Sequence, residues 1–125
     1  LCYPYGIWVD TRGTLWVADY NVNRVLWYLD AGQKLNGADG ILGQPDFFSS
    51  GNPPPGNNSL FFPTGVYVDP VRKNLWATDS ENNRVLRYAN AFDLNNNTAP
   101  ASVLGQLSFF LWGTQARRPC LNPGA

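Results

Sequence analysis

Short apolar runs alternate with polar turns along this chain, and the same order of runs occurs twice. Gly6 to Val9 is a short apolar strand, closed by Asp10-Thr11-Arg12-Gly13, a hairpin turn in which Gly13 supplies a positive φ. Leu15 to Ala18 returns, Asp19 to Asn23 is a polar turn, and Arg24 to Leu29 alternates Val25 and Trp27 against Arg24, Leu26 and Tyr28. After a longer loop, Ile41 to Gly43 gives a short fourth strand. The second pass predicts strands at Gly65 to Val68, Leu75 to Thr78, Arg84 to Tyr88 and Ser102 to Leu104, with turns at Asp69 to Asn74 and Asp79 to Asn83.

The two passes agree residue by residue. Pro4-Tyr5-Gly6-Ile7-Trp8-Val9-Asp10 answers to Pro63-Thr64-Gly65-Val66-Tyr67-Val68-Asp69, and Leu15-Trp16-Val17-Ala18-Asp19 to Leu75-Trp76-Ala77-Thr78-Asp79. Asn23-Arg24-Val25-Leu26 then answers to Asn83-Arg84-Val85-Leu86, and Leu42-Gly43-Gln44 to Leu104-Gly105-Gln106. The offset grows from 59 to 62, so the unit is about sixty residues with small loop insertions. Repeats of this kind are supersecondary units that bury their faces against neighbours. Four antiparallel strands in meander order make a β-propeller blade. The fold class expected is therefore all-β, with blade 1 and its following loop over 1–62, blade 2 over 63–122, and the start of a third repeat at 123–125. Two blades leave open faces and unpaired edges, which further repeats or identical chains must cover. An array that does not close on itself grows as a filament.

The loops after Leu-Gly-Gln carry paired aromatics, Phe47-Phe48 and Phe109-Phe110, with Trp112 beyond the second pair. Packing over the outer strand is the first expectation for the pairs, at ~1.5–3 kcal/mol per buried ring. A contact surface for a partner is the alternative, and Trp112 is a candidate contact in its own right. Trp8, Trp16, Trp27 and Trp76 fall on strands, where packing between blades accounts for them.

Asp19 with Arg24 and Asp79 with Arg84 occupy equivalent turns. They read as turn-fixing pairs rather than catalytic groups, because a scaffold repeats the same residue where catalysis usually needs a single odd one. Asp10 and Asp69 are expected to shape the turns that follow the first strands. The chain contains no histidine, which removes Ser-His and Cys-His activation and imidazole metal sites. No catalytic or metal-binding residue and no cofactor is expected, and the chain reads as a non-enzyme.

Nine basic residues balance nine acidic ones, so a nucleic-acid partner is disfavoured. No apolar run reaches the ~18 residues of a membrane span. Asn57-Asn58-Ser59 and Asn96-Asn97-Thr98 are acceptors for N-glycosylation of a secreted protein, with Asn57 and Asn96 as the attachment residues. Blade topology places these two sequons on opposite faces. Together with scarce lysine they point to an extracellular setting. Cys2 and Cys120 sit near the starts of units two blades apart, too far for a disulfide in a closed ring. Free thiols, bonds to cysteines elsewhere, or a bridge between Cys120 of one chain and Cys2 of another remain open.

Gly-Ile-Trp-Val-Asp, Leu-Trp-Val-Ala-Asp and the Asn-x-Asn-Arg-Val turn resemble the NHL repeat, and residues 65–86 resemble it more closely still. Leu42-Gly43-Gln44-Pro45-Asp46-Phe47 and Leu104-Gly105-Gln106-Leu107-Ser108-Phe109 are similar to the subgroup whose repeats end in Leu-Gly-Gln followed by an aromatic. The resemblance implies a propeller, usually of five or six blades. Some related propellers are metal-dependent lyases with histidine ligands, which have no match here. The function expected is a secreted, glycosylated scaffold, a subunit or segment of an extracellular filament or tandem assembly. The alternatives are an extracellular propeller that binds a ligand or protein, and a fragment of a propeller lyase or hydrolase whose active residues lie elsewhere.

Overall fold

A computed structural model describes residues 1–33, 37–51 and 58–109. They form two four-stranded antiparallel sheets, each in simple meander order. Blade 1 comprises β1 (Pro4–Val9), β2 (Leu15–Asp19), β3 (Arg24–Tyr28) and β4 (Gly40–Leu42), and blade 2 comprises β5 (Pro63–Val68), β6 (Leu75–Asp79), β7 (Arg84–Tyr88) and β8 (Ser102–Leu104). The described residues are all-β, as their alternation predicts, apart from short 3₁₀ turns. No helix among the described residues is long and apolar enough to cross a membrane.

The strands differ from expectation at their ends. β1 and β5 begin at the prolines, two residues earlier than predicted. Proline lacks an N–H and is tolerated at the first residue of a strand. The Asp19–Asn23 and Asp79–Asn83 turns wind into 3₁₀ segments, Tyr20–Val22 and Ser80–Asn82, each closed by an asparagine at φ 55° or 52°. Asparagine is among the few L-residues that visit this left-handed region readily. Gly13 has φ 80°, as the hairpin requires.

Register decides which side of each sheet does what. In blade 1, Trp8, Trp16, Trp27 and Gly40 form one cross-strand row, and Ala18, Val25 and Leu42 form the next row on the same side. In blade 2, Val66, Ala77, Leu86 and Val103 align, as do Val68, Leu75 and Tyr88. These two sides meet. Trp16, Val25, Trp27 and Leu42 form one buried cluster with Leu60, Val68, Leu75, Ala77, Leu86, Tyr88 and Ala91. Trp16 and Trp27 meet within it at a tilt of 40° with ring centroids 5.3 Å apart, so two of the four strand tryptophans are inter-blade core. Trp8 is part-exposed and meets Tyr67 edge-on at 4.5 Å, while Trp76 lies on the opposite side of blade 2.

The inner strand of blade 2, β5, lies against β1 and β2. Backbone approaches backbone there, since a Cβ on Gly6 would sit 2.4 Å from the Thr64 carbonyl oxygen. Only glycine fits.

Candidate interaction site at the blade junction

Each blade is tied at one end by a buried ion pair. Asp19 Oδ2 accepts from Arg24 Nε at 2.8 Å, and its Oδ1 accepts from the Cys2 N–H at 2.7 Å. Arg24 Nη1 then donates to the Phe47 carbonyl at 2.8 Å. In blade 2, Asp79 Oδ2 accepts from Arg84 Nε at 2.6 Å and from Asn82 Nδ2 at 3.0 Å, while Oδ1 accepts from the Phe61 N–H at 2.6 Å. Arg84 Nη1 donates to the Phe109 carbonyl, and Nη2 to the Ser59 carbonyl at 3.0 Å. One pair thus gathers the segment entering the inner strand, the β2–β3 or β6–β7 turn, and the loop leaving the outer strand. Both carboxylates are fully buried. Burial pushes the Asp79 carboxyl above its ordinary value, against the opposing pull of Arg84, Asn82 and the Phe61 N–H. A carboxylate whose oxygens are spent this way has little capacity left for proton transfer or a metal.

Asp10 and Asp69 hold the hairpins. Asp10 Oδ1 accepts from the N–H groups of Arg12 and Thr14, and Oδ2 accepts from Trp16 Nε1 at 3.0 Å. Asp69 Oδ1 accepts from the N–H groups of Val71 and Arg72, and these bonds hold its carboxyl below the usual range.

The junction itself turns on Asn23. Its Oδ1 accepts the Phe62 N–H at 2.9 Å and its Nδ2 donates to the Gly51 carbonyl at 3.2 Å. Its backbone carbonyl accepts from Gln44 Nε2 at 3.2 Å, which also reaches the Gly51 carbonyl at 2.8 Å. Leu60 closes the contact, for a Cβ on Gly43 (φ 91°) would lie 2.6 Å from its side chain. Leu42-Gly43-Gln44 therefore serves the packing of one blade on the next. Phe62, at φ 52°, stacks on Tyr20 at 4.5 Å and touches Phe61, while Tyr20 also meets Tyr3 and Tyr5. Sequence reasoning missed Asn23, Tyr20 and Phe62. The available signal was an aromatic before proline at the entry of both inner strands.

A second tie runs along the outer edge. Asn97 donates its N–H to the Ile41 carbonyl at 2.7 Å, and Asn96 Oδ1 accepts the Ile41 N–H at 3.1 Å. Asn96 remains exposed. The expectation that the two sequons lie on opposite faces is corrected, because Asn58 Nδ2 of the first donates to the Asn97 carbonyl of the second at 3.1 Å. Residues 58–60, at the end of the inter-blade segment, run back beside the β7–β8 connection, which strand order alone does not reveal.

The first aromatic loop pair also departs from expectation. Phe48 is 96% exposed and Phe47 36%, so neither ring seals the outer strand of blade 1. The Phe47 carbonyl, held by Arg24, secures the loop instead. Phe109 does pack against the inter-blade cluster. Cys2 is exposed with a free thiol. Asn57, Phe110, Trp112, Cys120 and the 123–125 repeat start lie outside the described residues.

Residues 1–28, spanning β1 to β3 with their turns, match the NHL repeat. That segment is similar to the NHL repeat. No curated protein matches the chain. The matched segment supplies Asp19, Asn23 and Arg24, and so contains both the ion pair that ties its own blade and the asparagine that receives the next. The four-stranded meanders are two blades of propeller type.

Proposed function

We propose that this chain is a secreted, glycosylated NHL-repeat scaffold, a segment or subunit of an extracellular tandem or filamentous assembly, and that it is not an enzyme. The observation that carries this reading is the junction. Residues repeated in both units are spent on joining blade to blade, and the acidic residues at equivalent turns are consumed in the ties. NHL repeats serve as propeller-type protein-interaction modules, which fits a part whose chemistry is contact. The extracellular setting is supported by the two sequons. At Asn96 the Oδ1 is engaged with Ile41, which leaves Nδ2, the atom a glycan takes, on an exposed side chain.

The test is secretion of the chain from eukaryotic cells, with intact mass measured before and after enzymatic removal of N-glycans and negative-stain images of the product. Glycan mass on Asn57 or Asn96 and extended or multi-blade particles are expected. An unmodified chain retained inside the cell would refute the reading. Phe48 and Leu107, 96% and 97% exposed, favour a second reading in which the inter-blade loops bind a separate protein or ligand. That reading predicts a saturable partner lost on Phe48→Ser.

A further inference from the structure

The two Asn-x-Ser/Thr motifs meet at the outer edge of the junction, and the fold treats them differently. Asn58 Nδ2 donates to the Asn97 carbonyl at 3.1 Å, so the middle residues of the two motifs touch. The hydroxyl residue of the first motif is Ser59, which is 6% exposed. Its carbonyl accepts from Arg84 Nη2 at 3.0 Å, and the next residue, Leu60, is fully buried in the inter-blade cluster beside Gly43. Bringing Ser59 to the surface therefore means drawing Leu60 out of the core. Returning a leucine side chain to water makes that open state about ten- to a hundredfold rarer than the closed one. The Arg84 and Asn58 bonds make it rarer still.

The second motif is on display. Asn96 is exposed, and its Oδ1 accepts the Ile41 N–H at 3.1 Å, which holds the amide and leaves Nδ2 without an acceptor among the described residues. The Asn97 N–H donates to the Ile41 carbonyl at 2.7 Å, so the two asparagines bracket one residue of the outer strand of blade 1. Thr98 is half-buried, and its hydroxyl accepts the Asn95 N–H at 3.0 Å and donates to the Asn95 carbonyl at 2.7 Å. Both bonds lie within the turn from Asn95 to Thr98, so freeing this hydroxyl is a local opening that disturbs neither blade.

We infer that folding sorts the two motifs: Asn96 accepts an N-glycan with the blades docked, whereas the first motif accepts one only before Leu60 is packed. The motif is defined by an asparagine and a hydroxyl two residues on, so the transferring enzyme must reach both side chains at once. In the transfer, Nδ2 attacks the anomeric carbon of a lipid-linked sugar diphosphate. The N–C bond forms, the C–O bond to the diphosphate breaks with its electron pair on the departing oxygen, and Nδ2 gives up one proton to a base of the enzyme. Asn96 keeps its Oδ1, so the bond from the Ile41 N–H survives the change. In the first motif Ser59 is out of reach once the blades have docked, and it is Ser59 that sets the order. This rests on the secreted, glycosylated reading above and says when each motif is open to modification.

The test takes the chain made in bacteria, without glycans, and incubates it folded with a purified oligosaccharyltransferase and a lipid-linked sugar diphosphate. Peptide mass mapping reads the occupancy of Asn57 and Asn96, and circular dichroism establishes that the chain is folded. The ratio of Asn96 to Asn57 occupancy is expected to be about tenfold or more higher in the folded chain than in its tryptic digest. The digest puts each motif on a fragment of its own and so corrects for any intrinsic preference between Ser59 and Thr98. Leu60→Ser keeps the first motif and removes its buried anchor, and is expected to raise Asn57 occupancy while leaving Asn96 unchanged. The wild-type comparison stands even where Leu60→Ser does not fold. Equal ratios in the folded chain and the digest, or a folded chain modified at neither asparagine, overturn the inference. A chain that cells secrete with glycans but that shows equal ratios in vitro loses this inference and keeps the scaffold reading. A chain sorted in vitro that cells retain unmodified does the reverse.

Discussion

Asn23 of blade 1 accepts the backbone N–H of Phe62, the residue that admits the chain to blade 2, through a 2.9 Å bond from its left-handed position. One residue therefore closes its own turn and receives its neighbour. Asn23→Ala leaves the Phe62 N–H without its partner and places a Cβ-bearing residue unsuited to this backbone at φ 55°. The combined loss is expected to be about 2–4 kcal/mol. Asn83→Ala in the monomer suffers only the backbone penalty, about 1 kcal/mol. Urea denaturation of the two variants under monomeric conditions compares them, and equal losses would refute the assignment of Asn23 as the latch.

The strands were legible because a period of two, bounded by Asp-rich and Gly-rich turns, leaves few alternatives. The Asp19–Arg24 and Asp79–Arg84 pairs could be seen because they recur at fixed spacing. The latch was harder. Asn23 and Phe62 lie far apart in sequence, and nothing in a polar turn residue announces which distant N–H it will accept. Phe48 misled for a related reason: hydrophobicity argues for burial, but Arg24 secures that loop through the Phe47 carbonyl, so the ring is not needed for packing. The sequons were misplaced because the course of a long connection is set by hydrogen bonds such as Asn58 to Asn97, not by strand order.

Removing one partner of a buried pair should cost more than either hydrogen bond suggests. Asp79→Ala leaves the Arg84 guanidinium, whose side chain is fully buried, without its counter-charge. A loss of about 3–5 kcal/mol is expected. Replacing both residues with apolar ones, Asp79→Leu with Arg84→Met, is expected to cost less than Asp79→Ala alone, although the Phe61 N–H then loses its acceptor. Thermal denaturation of the single and double variants decides it, and an additive double variant would contradict the coupling.

Blade spacing at the inner strands depends on Gly6. Its added Cβ would meet a backbone oxygen, which no rotamer change can move aside. Gly6→Ala is expected to destabilise by about 1–3 kcal/mol or more and to alter the fluorescence of Trp8 beside Tyr67. Gly37→Ala, where a Cβ meets nothing within 4 Å, is the control and is expected to leave both unchanged.

Three carboxyls should separate on titration. Hydrogen bonds from Ser49 hold the Asp46 carboxyl below its ordinary value, and those from the Val71 and Arg72 N–H groups do the same for Asp69. Burial holds Asp79 above it. A depressed carboxyl stabilises the fold above its unfolded value and loses that contribution as pH falls through the folded value, so Asp46 and Asp69 make their loops acid-sensitive. A raised carboxyl contributes fully below its unfolded value and loses that contribution as pH rises through the folded one, so Asp79 does not drive acid unfolding. Carboxyl-detected NMR is expected to give midpoints below the ordinary aspartate value for the first two and above it for Asp79. An Asp79 midpoint below those of Asp46 and Asp69 would show that the Arg84 charge outweighs burial.

Tyr88 is fully buried in the inter-blade cluster and its hydroxyl has no hydrogen-bond partner among the described residues. Burial also pushes the phenol far above its ordinary range, so the group stays neutral at any pH the fold survives. A hydroxyl taken out of water without a partner costs roughly 1–3 kcal/mol, while the ring that carries it supplies most of the packing. Tyr88→Phe keeps the ring and removes the cost, and is expected to stabilise the chain by about 1 kcal/mol. Tyr28, at the equivalent place in blade 1, is only partly buried, and Tyr28→Phe is expected to be close to neutral. Melting temperatures of the pair make the comparison. A destabilised Tyr88→Phe would mean that the hydroxyl is satisfied in solution and that the inter-blade core holds a polar contact its packing does not account for.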